Sequence, residues 1–340
     1  TGSLADHRLR MAPSQISAFA LALGNALGAG RFSVPAGAEI DAEVVSQIAS
    51  DLRAAGAGAV VIPGPSQPAP VHALCHAINA ALGSMGSVVT TTPMSADEAR
   101  SSVESIAELT SEMHAGRVDT LVCIDTNPLF DAPADLEFGD AFASLGTSIC
   151  WSVQASETAA RSTWSLNGSH YLESWGDVES YDGTVSPIQP MIAPLYDPAL
   201  SDIELLALLA GDERPDGYGL VRQTWAARAG SSVDASPFDK IWRRALHDGV
   251  LAGSGATRSS PSANTASVRA AVSGLTLASA PAQDALEVVF STANVGDGRW
   301  ANCGWLQELP DTASKVVWDN PAYLSPATAK ALGVLPEHTW

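Results

Sequence analysis

Residues 120–124 read TLVCI, an unbroken run of apolar and β-branched side chains. Such a run is typical of a strand covered on both faces, as in a parallel sheet. Residues 148–153, SICWSV, repeat the pattern after a short predicted helix near residues 140–145. Strands that alternate with helices along a chain predict an α/β protein with a parallel sheet.

Other segments of the sequence have apolar residues at helical spacing. This spacing predicts a helix over residues 14–28, capped by Ser14, and a second helix that ends at Gly56. Residues 59–62, AVVI, predict another buried strand, and residues 286–291 alternate like a strand. Further helices are predicted over 71–82, over 103–116 after the capping box Ser95–Glu98, over 203–210 after Ser201, over 236–246, and over 325–333.

Composition excludes several classes of function. The chain has 340 residues, with 18 Lys and Arg against 37 Asp and Glu, so its formal charge is −19. That charge repels phosphate backbones and anionic lipids, so we expect no nucleic acid partner. No apolar stretch approaches the roughly 20 residues that a membrane span requires, so we expect no direct membrane insertion.

The cysteines and histidines give no metal motif. Cys75, Cys123, Cys150 and Cys303 are widely spaced without a CxxC pair, and we expect Cys123 and Cys150 to be buried in the core. His72 and His76 share a predicted helical face, but no Glu follows His72 as in HExxH and no third ligand is evident. We therefore predict a solvated polar face.

Two loop motifs are also rejected. Gly56–Gly58 precedes the predicted strand 59–62, whereas a dinucleotide-binding turn follows its strand. Residues 125–131 begin like a calcium loop but lack the glycine at its sixth position.

The segment 167–177 is rich in aromatic, acidic, His and Gly residues, which predicts a loop that lines a site. It contains Ser169–His170 but no GxSxG elbow, so a hydrolase triad is disfavoured.

Several motifs in order resemble the molybdopterin oxidoreductases, the family of the large subunits of formate dehydrogenase and dimethyl sulfoxide reductase. Residues 1–13 resemble the segment that ends in Pro-Gly-Thr-Asp, and Thr126-Asn127-Pro128 resembles the Gly-x-Asn-Pro turn. The pair Glu157-Thr158, then Glu173-x-x-Gly176, and Gln189 resemble the family's later Glu-Thr, Glu-x-x-Gly and Gln.

Longer stretches resemble the cofactor-less members of this family that belong to the bacterial alternative complex III. These stretches are 131–136 (DAPADL), 170–177 (HYLESWGD), 182–185 (DGTV) and 302–311 (NCGWLQELPD). Residues 213–285 match least. The resemblance implies Rossmann-like parallel sheets with flanking helices, as in the α/β domains of the dimethyl sulfoxide reductase/formate dehydrogenase fold.

Three departures from the family pattern weaken cofactor binding. Asp125 replaces the glycine of Gly-x-Asn-Pro and brings bulk and negative charge toward a pyrophosphate. Ile16 replaces an aspartate that would hold guanine. Residues 162–167 (STWSLN) stand where the family has Ala-Asp-x-x-Leu-Pro.

The resemblance also predicts the domain organisation. Residues 1–35 would end one α/β domain, and 36–212 would form the main α/β region. Residues 213–285 would be a variable insertion with Ser/Gly-rich linkers at 229–236 and 253–267. Residues 286–340 would lead toward a β-barrel domain, and we expect the chain to be a fragment of a longer protein.

The function implied is a non-catalytic scaffold in a respiratory quinol-oxidising complex, peripheral on the periplasmic side of the bacterial inner membrane. Its partners would be the other subunits of that complex. No cofactor is expected in this fragment, the family's molybdopterin being lost and the iron–sulfur clusters lying outside it. The vestigial pocket would contain Asn127, Glu157, Thr158, Glu173 and Gln189.

Within that pocket we expect Glu173 to pair with Tyr171 and Trp175. Two alternatives stay open. One is a true bis-molybdopterin guanine dinucleotide oxidoreductase whose catalytic ligands lie outside the fragment. The other is a binding module that keeps its cleft for a small ligand.

Overall fold

The computed structural model of the chain describes residues 4–35, 38, 40–92, 101–257, 259, 262–277, 285–292, 295–296 and 300–334. The chain forms two compact units. The first unit contains residues 1–99, 174–191 and 214–290, and the second unit contains residues 100–173, 192–213 and 291–340.

A three-stranded parallel sheet is the centre of the second unit. Strands β1 (Thr120–Ile124), β2 (Thr147–Ser152) and β3 (Trp164–Asn167) lie side by side in that order, with Cys123 opposite Cys150. Both predicted apolar strands are present and parallel, so the α/β class is confirmed. The sheet is apolar on both sides of β2, where Cys150 and Trp151 are both buried.

The second unit also contains helices within the described residues, and some of them pack against this sheet. They are α4 (Ser102–His114), α5 (Pro128–Asp131), α6 (Phe138–Ala143), α7 (Glu157–Arg161), α8 (Asp202–Leu209), α12 (Gly304–Glu308) and α13 (Pro326–Ala331). Met113 of α4 and Phe138 and Phe142 of α6 pack with Cys123 and Cys150. The prediction that these two cysteines are core residues is confirmed.

The first unit is built mainly from helices. They are α1 (Pro13–Leu27), α2 (Ala42–Ala55), α3 (Ala69–Leu82), α9 (Gly217–Arg228), α10 (Ser236–Asp248) and α11 (Thr265–Ser273). Leu21, Leu74, Ile78 and Val268 bring α1, α3 and α11 into one apolar cluster. An antiparallel hairpin of β4 (Gly176–Glu179) and β5 (Val185–Ile188) belongs to the same unit.

An aromatic cluster joins α9 and α10 to that hairpin. The ring of Trp242 lies between 5.4 and 6.2 Å, centroid to centroid, from the rings of Trp175, Tyr218, Trp225 and Phe238. The indole N–H of Trp225 donates to the carboxylate of Asp177 on β4 over 2.8 Å. Aromatic rings bury more apolar area than other side chains, so α9 and α10 supply much of the core here.

The prediction of a strand at residues 59–62 is wrong. These residues have no strand pairing, because side chains satisfy their backbone groups instead. The Asn79 amide donates to the carbonyl of Val61 over 2.9 Å and accepts from its N–H over 2.8 Å. The Ser84 hydroxyl donates to the carbonyl of Ala59. A short apolar run does not reveal which partner its backbone will find.

The prediction of a strand at residues 286–291 is also wrong. Val288 and Phe290 are both largely exposed, so the alternation has no buried face to pack. The Glu287 carboxylate accepts from the backbone N–H of Ser14 over 3.0 Å. Ser14 is not the cap of α1, because the helix begins one residue earlier at Pro13 and Ala12 occupies the cap position. Proline is favoured at the first helical position because it lacks an N–H.

Other helix ends agree more closely with the sequence. Ser201 and Glu204 form the predicted capping box of α8, and Ser325 caps α13. Helix α10 is present, but Ser236 is its first residue and not its cap, since Ala235 occupies the cap position without a side-chain hydrogen bond. The sequence predicts no helix at α11, which begins inside the segment 253–267 that is predicted to be a linker. The proposed box Ser95–Glu98 lies outside the described residues, and α4 is capped by Ser101. No helix in the described ranges is long and apolar enough to span a membrane.

The aromatic cluster predicts a large difference between two identical substitutions. Phe238 is fully buried, so Phe238→Ala should lower the free energy of unfolding by about 3–5 kcal/mol. Phe290 is 91% exposed, so Phe290→Ala should change it by no more than about 0.5 kcal/mol. Urea unfolding followed by far-UV circular dichroism measures both, and equal losses would contradict the packing described.

Candidate functional site

The carboxyl edge of the parallel sheet is the candidate site, because open α/β sheets bind ligands beyond the carboxyl ends of their strands. The loops after β1, β2 and β3 all leave the sheet at this edge. Three of the five predicted pocket residues, Asn127, Glu157 and Thr158, meet there.

Asp125 is the first residue after β1, and its backbone is left-handed, with φ 46°. Its N–H donates to the carbonyl of Trp151 at the end of β2 over 2.9 Å. Its side chain is exposed. Glycine adopts a left-handed backbone without steric cost, so the geometry here suits the glycine that the family pattern has at this position.

The amide of Asn127 joins the loop after β1 to the start of α7. Its nitrogen donates to a carboxylate oxygen of Glu157 over 2.7 Å. Its oxygen accepts from the backbone N–H of Thr158 over 3.1 Å and from the Thr158 hydroxyl over 2.8 Å. Asn127 is 7% exposed and its bonds to Thr158 lie away from water, whereas the Glu157 side chain is exposed.

Thr158 completes the network from the other side. It is fully buried, and its hydroxyl oxygen accepts from the backbone N–H of Leu129 over 3.1 Å. Its hydroxyl therefore both donates and accepts within the network. A buried network of this kind fixes the positions of its loops, because an unpaired member would be costly.

Glu157 is the charged member of the network. The hydrogen bond from Asn127 lowers the pKa of its carboxyl group, a backbone hydrogen bond within Glu157 adds to this, and a small loss of hydration opposes it. Ser156, which sequence reasoning missed, caps α7 by accepting from the N–H of Ala159 over 3.1 Å. The signal was Ser156 followed by an acidic residue, a common start of a helix.

The edge beyond β3 is closely packed. A Cβ atom at Gly168 would lie 2.9 Å from the Trp151 ring and from the Ser152 backbone. Ser169 is buried, and its hydroxyl has no hydrogen-bond partner among the described residues, whereas His170 accepts from the N–H of Leu172 over 3.3 Å. Ser169 and His170 are therefore not arranged as a nucleophile and its base.

Glu173 lies in the second unit but outside the Asn127 network. Its carboxylate accepts from the backbone N–H groups of His170 and Leu195 over 3.0 and 3.4 Å. The Tyr171 ring packs on His170, and Trp175 packs on Tyr218 and Trp242. These contacts differ from the expected pairing of Glu173 with Tyr171 and Trp175.

Gln189, the fifth predicted pocket residue, lies in the first unit. Its side chain donates to the carbonyl of Leu246 over 3.1 Å. Ile16, one of the departures from the family pattern, lies half-buried on α1 of the same unit. Residues 162–167, which stand where the family has Ala-Asp-x-x-Leu-Pro, contain β3 and therefore form an edge strand of the sheet.

The described part of the chain contains no cluster of three His, Cys, Asp or Glu side chains that could hold a metal ion. All four cysteines are free. Burial raises the pKa of the Cys75 thiol to about 11 and that of Cys123 to about 12, and it also raises the pKa of Cys150. These thiols are protonated at neutral pH and are poor metal ligands and nucleophiles.

No protein-family model matches the chain, and no curated protein is significantly similar to it in sequence. The resemblance to molybdopterin oxidoreductases therefore depends on the short motifs alone. The residues at the sheet edge do not fit the pyrophosphate of a pterin dinucleotide. The Asp125 carboxylate is negative, and the Asn127 amide is engaged by Glu157 and Thr158 at both its nitrogen and its oxygen.

The buried Thr158 hydroxyl gives a first prediction for this site. Thr158→Val keeps the shape of the side chain but removes the bonds to Asn127 and Leu129, so it should cost about 1–3 kcal/mol of unfolding free energy. Thr224 is an exposed helix residue, and Thr224→Val should change the stability by no more than about 0.5 kcal/mol. Urea unfolding compares the two, and equal effects would argue against the network.

Glu157 predicts a pH-dependent contribution to stability. Because folding lowers its pKa, the stabilisation is present above the ordinary value of 4.5 and is lost as the pH falls through the lower folded value. Glu157→Gln lacks this titration. The stability difference between the two proteins should therefore shrink as the pH falls below 4.5. A difference that stays constant across this range, measured by urea unfolding, would contradict the assignment.

The cysteines predict selective labelling. In the folded protein at neutral pH, iodoacetamide should modify Cys303, which is half-buried, and leave Cys75, Cys123 and Cys150 unmodified. Mass spectrometry of tryptic peptides distinguishes the four sites, and urea-unfolded protein serves as the control in which all four react. Rapid native labelling of Cys123 or Cys150 would be inconsistent with a closed core.

Proposed function

We propose that the chain is part of a scaffold subunit related to the molybdopterin oxidoreductases, in which the former cofactor edge has become a structural joint. Its α/β units would belong to the dimethyl sulfoxide reductase/formate dehydrogenase fold. The subunit would dock redox partners of a respiratory quinol-oxidising complex on the periplasmic side of the membrane, while electrons pass through iron–sulfur clusters in other parts of the protein.

The single observation that carries this proposal is the conformation of the loop after β1 and its hydrogen bonds to α7. Asp125 holds a left-handed backbone that suits glycine, yet it places a carboxylate where the family pattern would bring a pyrophosphate close. The loop is tied to α7 by the Asn127 amide. The Asn127 amide is thus already hydrogen bonded within the protein. This arrangement supports the loss of an anion-binding site at the edge more than the presence of a working one.

The arrangement of hydrogen bonds supports a structural role for the same residues. Asn127, Glu157 and Thr158 contact one another, so they stabilise the junction between β1 and α7. Binding groups at an active edge usually keep donors available to the ligand, because preorganised donors are what stabilise its charge. Here the donors of Asn127 and Thr158 are directed to other groups of the protein.

Measurement of molybdenum and pterin in the purified full-length protein tests the proposal. Metal analysis by mass spectrometry and pterin fluorescence after oxidation should both give values far below one per protein. Stoichiometric molybdenum and pterin would overturn the scaffold role and favour the alternative, a true bis-molybdopterin guanine dinucleotide oxidoreductase with catalytic ligands elsewhere in the protein.

A thermal-shift series tests whether the edge still binds a small ligand. GDP and GTP should leave the melting temperature unchanged, because a ligand raises it only when it binds the folded state. Asp125→Gly removes the carboxylate without opposing the backbone geometry, so it is the matched variant for the same series. A shift in the wild-type protein that Asn127→Ala abolishes would instead identify a working nucleotide site.

A further inference from the structure

An exposed apolar surface lies on two loops of the second unit, one after β3 and one before α8. Its five side chains are Tyr171, Leu172, Ile192, Leu195 and Tyr196, which we call the Tyr171 patch. Tyr171, Leu195 and Tyr196 are 61%, 71% and 73% exposed, and the other two are exposed by more than a third. Contiguous apolar side chains on a surface mark sites that bind a partner.

Hydrogen bonds hold the two loops of the Tyr171 patch together. The backbone N–H of Ile192 donates to the carbonyl of Leu172 over 3.1 Å. The N–H of Leu195 donates to the Glu173 carboxylate over 3.4 Å, and the Tyr171 ring lies 4.2 Å from the His170 ring. A surface tied in this way requires less ordering when a partner binds.

The chain segments that carry the patch are acidic. The two segments of the second unit that carry it, residues 162–173 and 192–213, contain six Asp and Glu and no Lys or Arg. Asp197 directly follows the patch, and its side chain is exposed, as are those of Asp202 and Glu213. Protein interfaces have an apolar centre within a polar rim, and charge complementarity at the rim selects the partner.

This charge excludes several occupants. A second copy of the chain would bring a surface with the same excess of carboxylates, at a formal charge of −19 for each copy. Anionic lipid headgroups and nucleic acids are repelled for the same reason. What remains complementary is a protein surface that is apolar at its centre and basic at its edge.

We propose that the Tyr171 patch docks a partner protein through an apolar surface that is ringed by Lys and Arg. Tyr171, Leu195 and Tyr196 supply the apolar contacts, since tyrosine is enriched among residues that dominate binding energy. The nearby carboxylates orient the partner and accelerate its association. The inference depends on exposure and charge and does not require the proposed relation to molybdopterin oxidoreductases.

A synthetic amphipathic helix with a leucine stripe flanked by lysines is the probe, and isothermal titration calorimetry with the full chain is the measurement. The probe should bind, and its affinity should fall as sodium chloride is added. The double variant Leu195→Ser/Tyr196→Ser should weaken binding by about tenfold or more. The same stripe flanked by glutamates should not bind.

The matched control is Val288→Ser/Phe290→Ser, which removes two exposed apolar side chains from the first unit. It should leave the affinity within about twofold of wild type, since these residues lie outside the docking surface. Asp197→Asn/Asp202→Asn tests the rim without altering the apolar centre, and it should reduce both the affinity and its salt dependence. Circular dichroism verifies that each variant is folded.

Several results would overturn the proposal. They are no binding of the lysine peptide, equal weakening by the control pair, and tight binding of the glutamate peptide. Two further assays address the excluded occupants. Sedimentation of anionic phosphatidylserine vesicles with the wild-type protein but not with Leu195→Ser/Tyr196→Ser would identify a lipid surface, and a dimer abolished by that variant would identify a second copy.

Discussion

The parallel pairing of β1 with β2 is the constraint on which the second unit depends. With Cys123 opposite Cys150, the two strands end at the same edge, and the chain must cross over the sheet to return. The crossover places α6 against the sheet, and the shared edge brings Asn127 and the start of α7 together. The network at Asn127 therefore depends on the register of the two strands as well as on its own hydrogen bonds.

The apolar runs of β1 and β2 could be predicted because their pattern is local and both faces of the strands are covered. Residues 59–62 have the same composition but are not a strand, because the distant Asn79 and Ser84 side chains satisfy their backbone. Residues 286–291 alternate correctly yet lack a surface to cover. Local patterns predict what a segment can form, while the partner that decides the outcome is set by tertiary structure.

The candidate site was predictable in part for the same reason. Asn127, Glu157 and Thr158 each follow a strand, and parallel strands bring such residues to one edge. Glu173 and Gln189 were associated with them only by motif order, and each hydrogen bonds elsewhere. The aromatic cluster on α9 and α10 was missed, because Trp175 and Trp242 are far apart in sequence and no short-range pattern links them.

The left-handed backbone at Asp125 has a consequence for how this edge can vary. The codons for aspartate and glycine differ by a single base, and both residues tolerate this conformation better than a bulky or β-branched residue would. A carboxylate can therefore be gained or lost at the mouth of the sheet by one mutational step that leaves the main chain where it is. The polarity of the edge is evolutionarily adjustable even though its geometry is fixed.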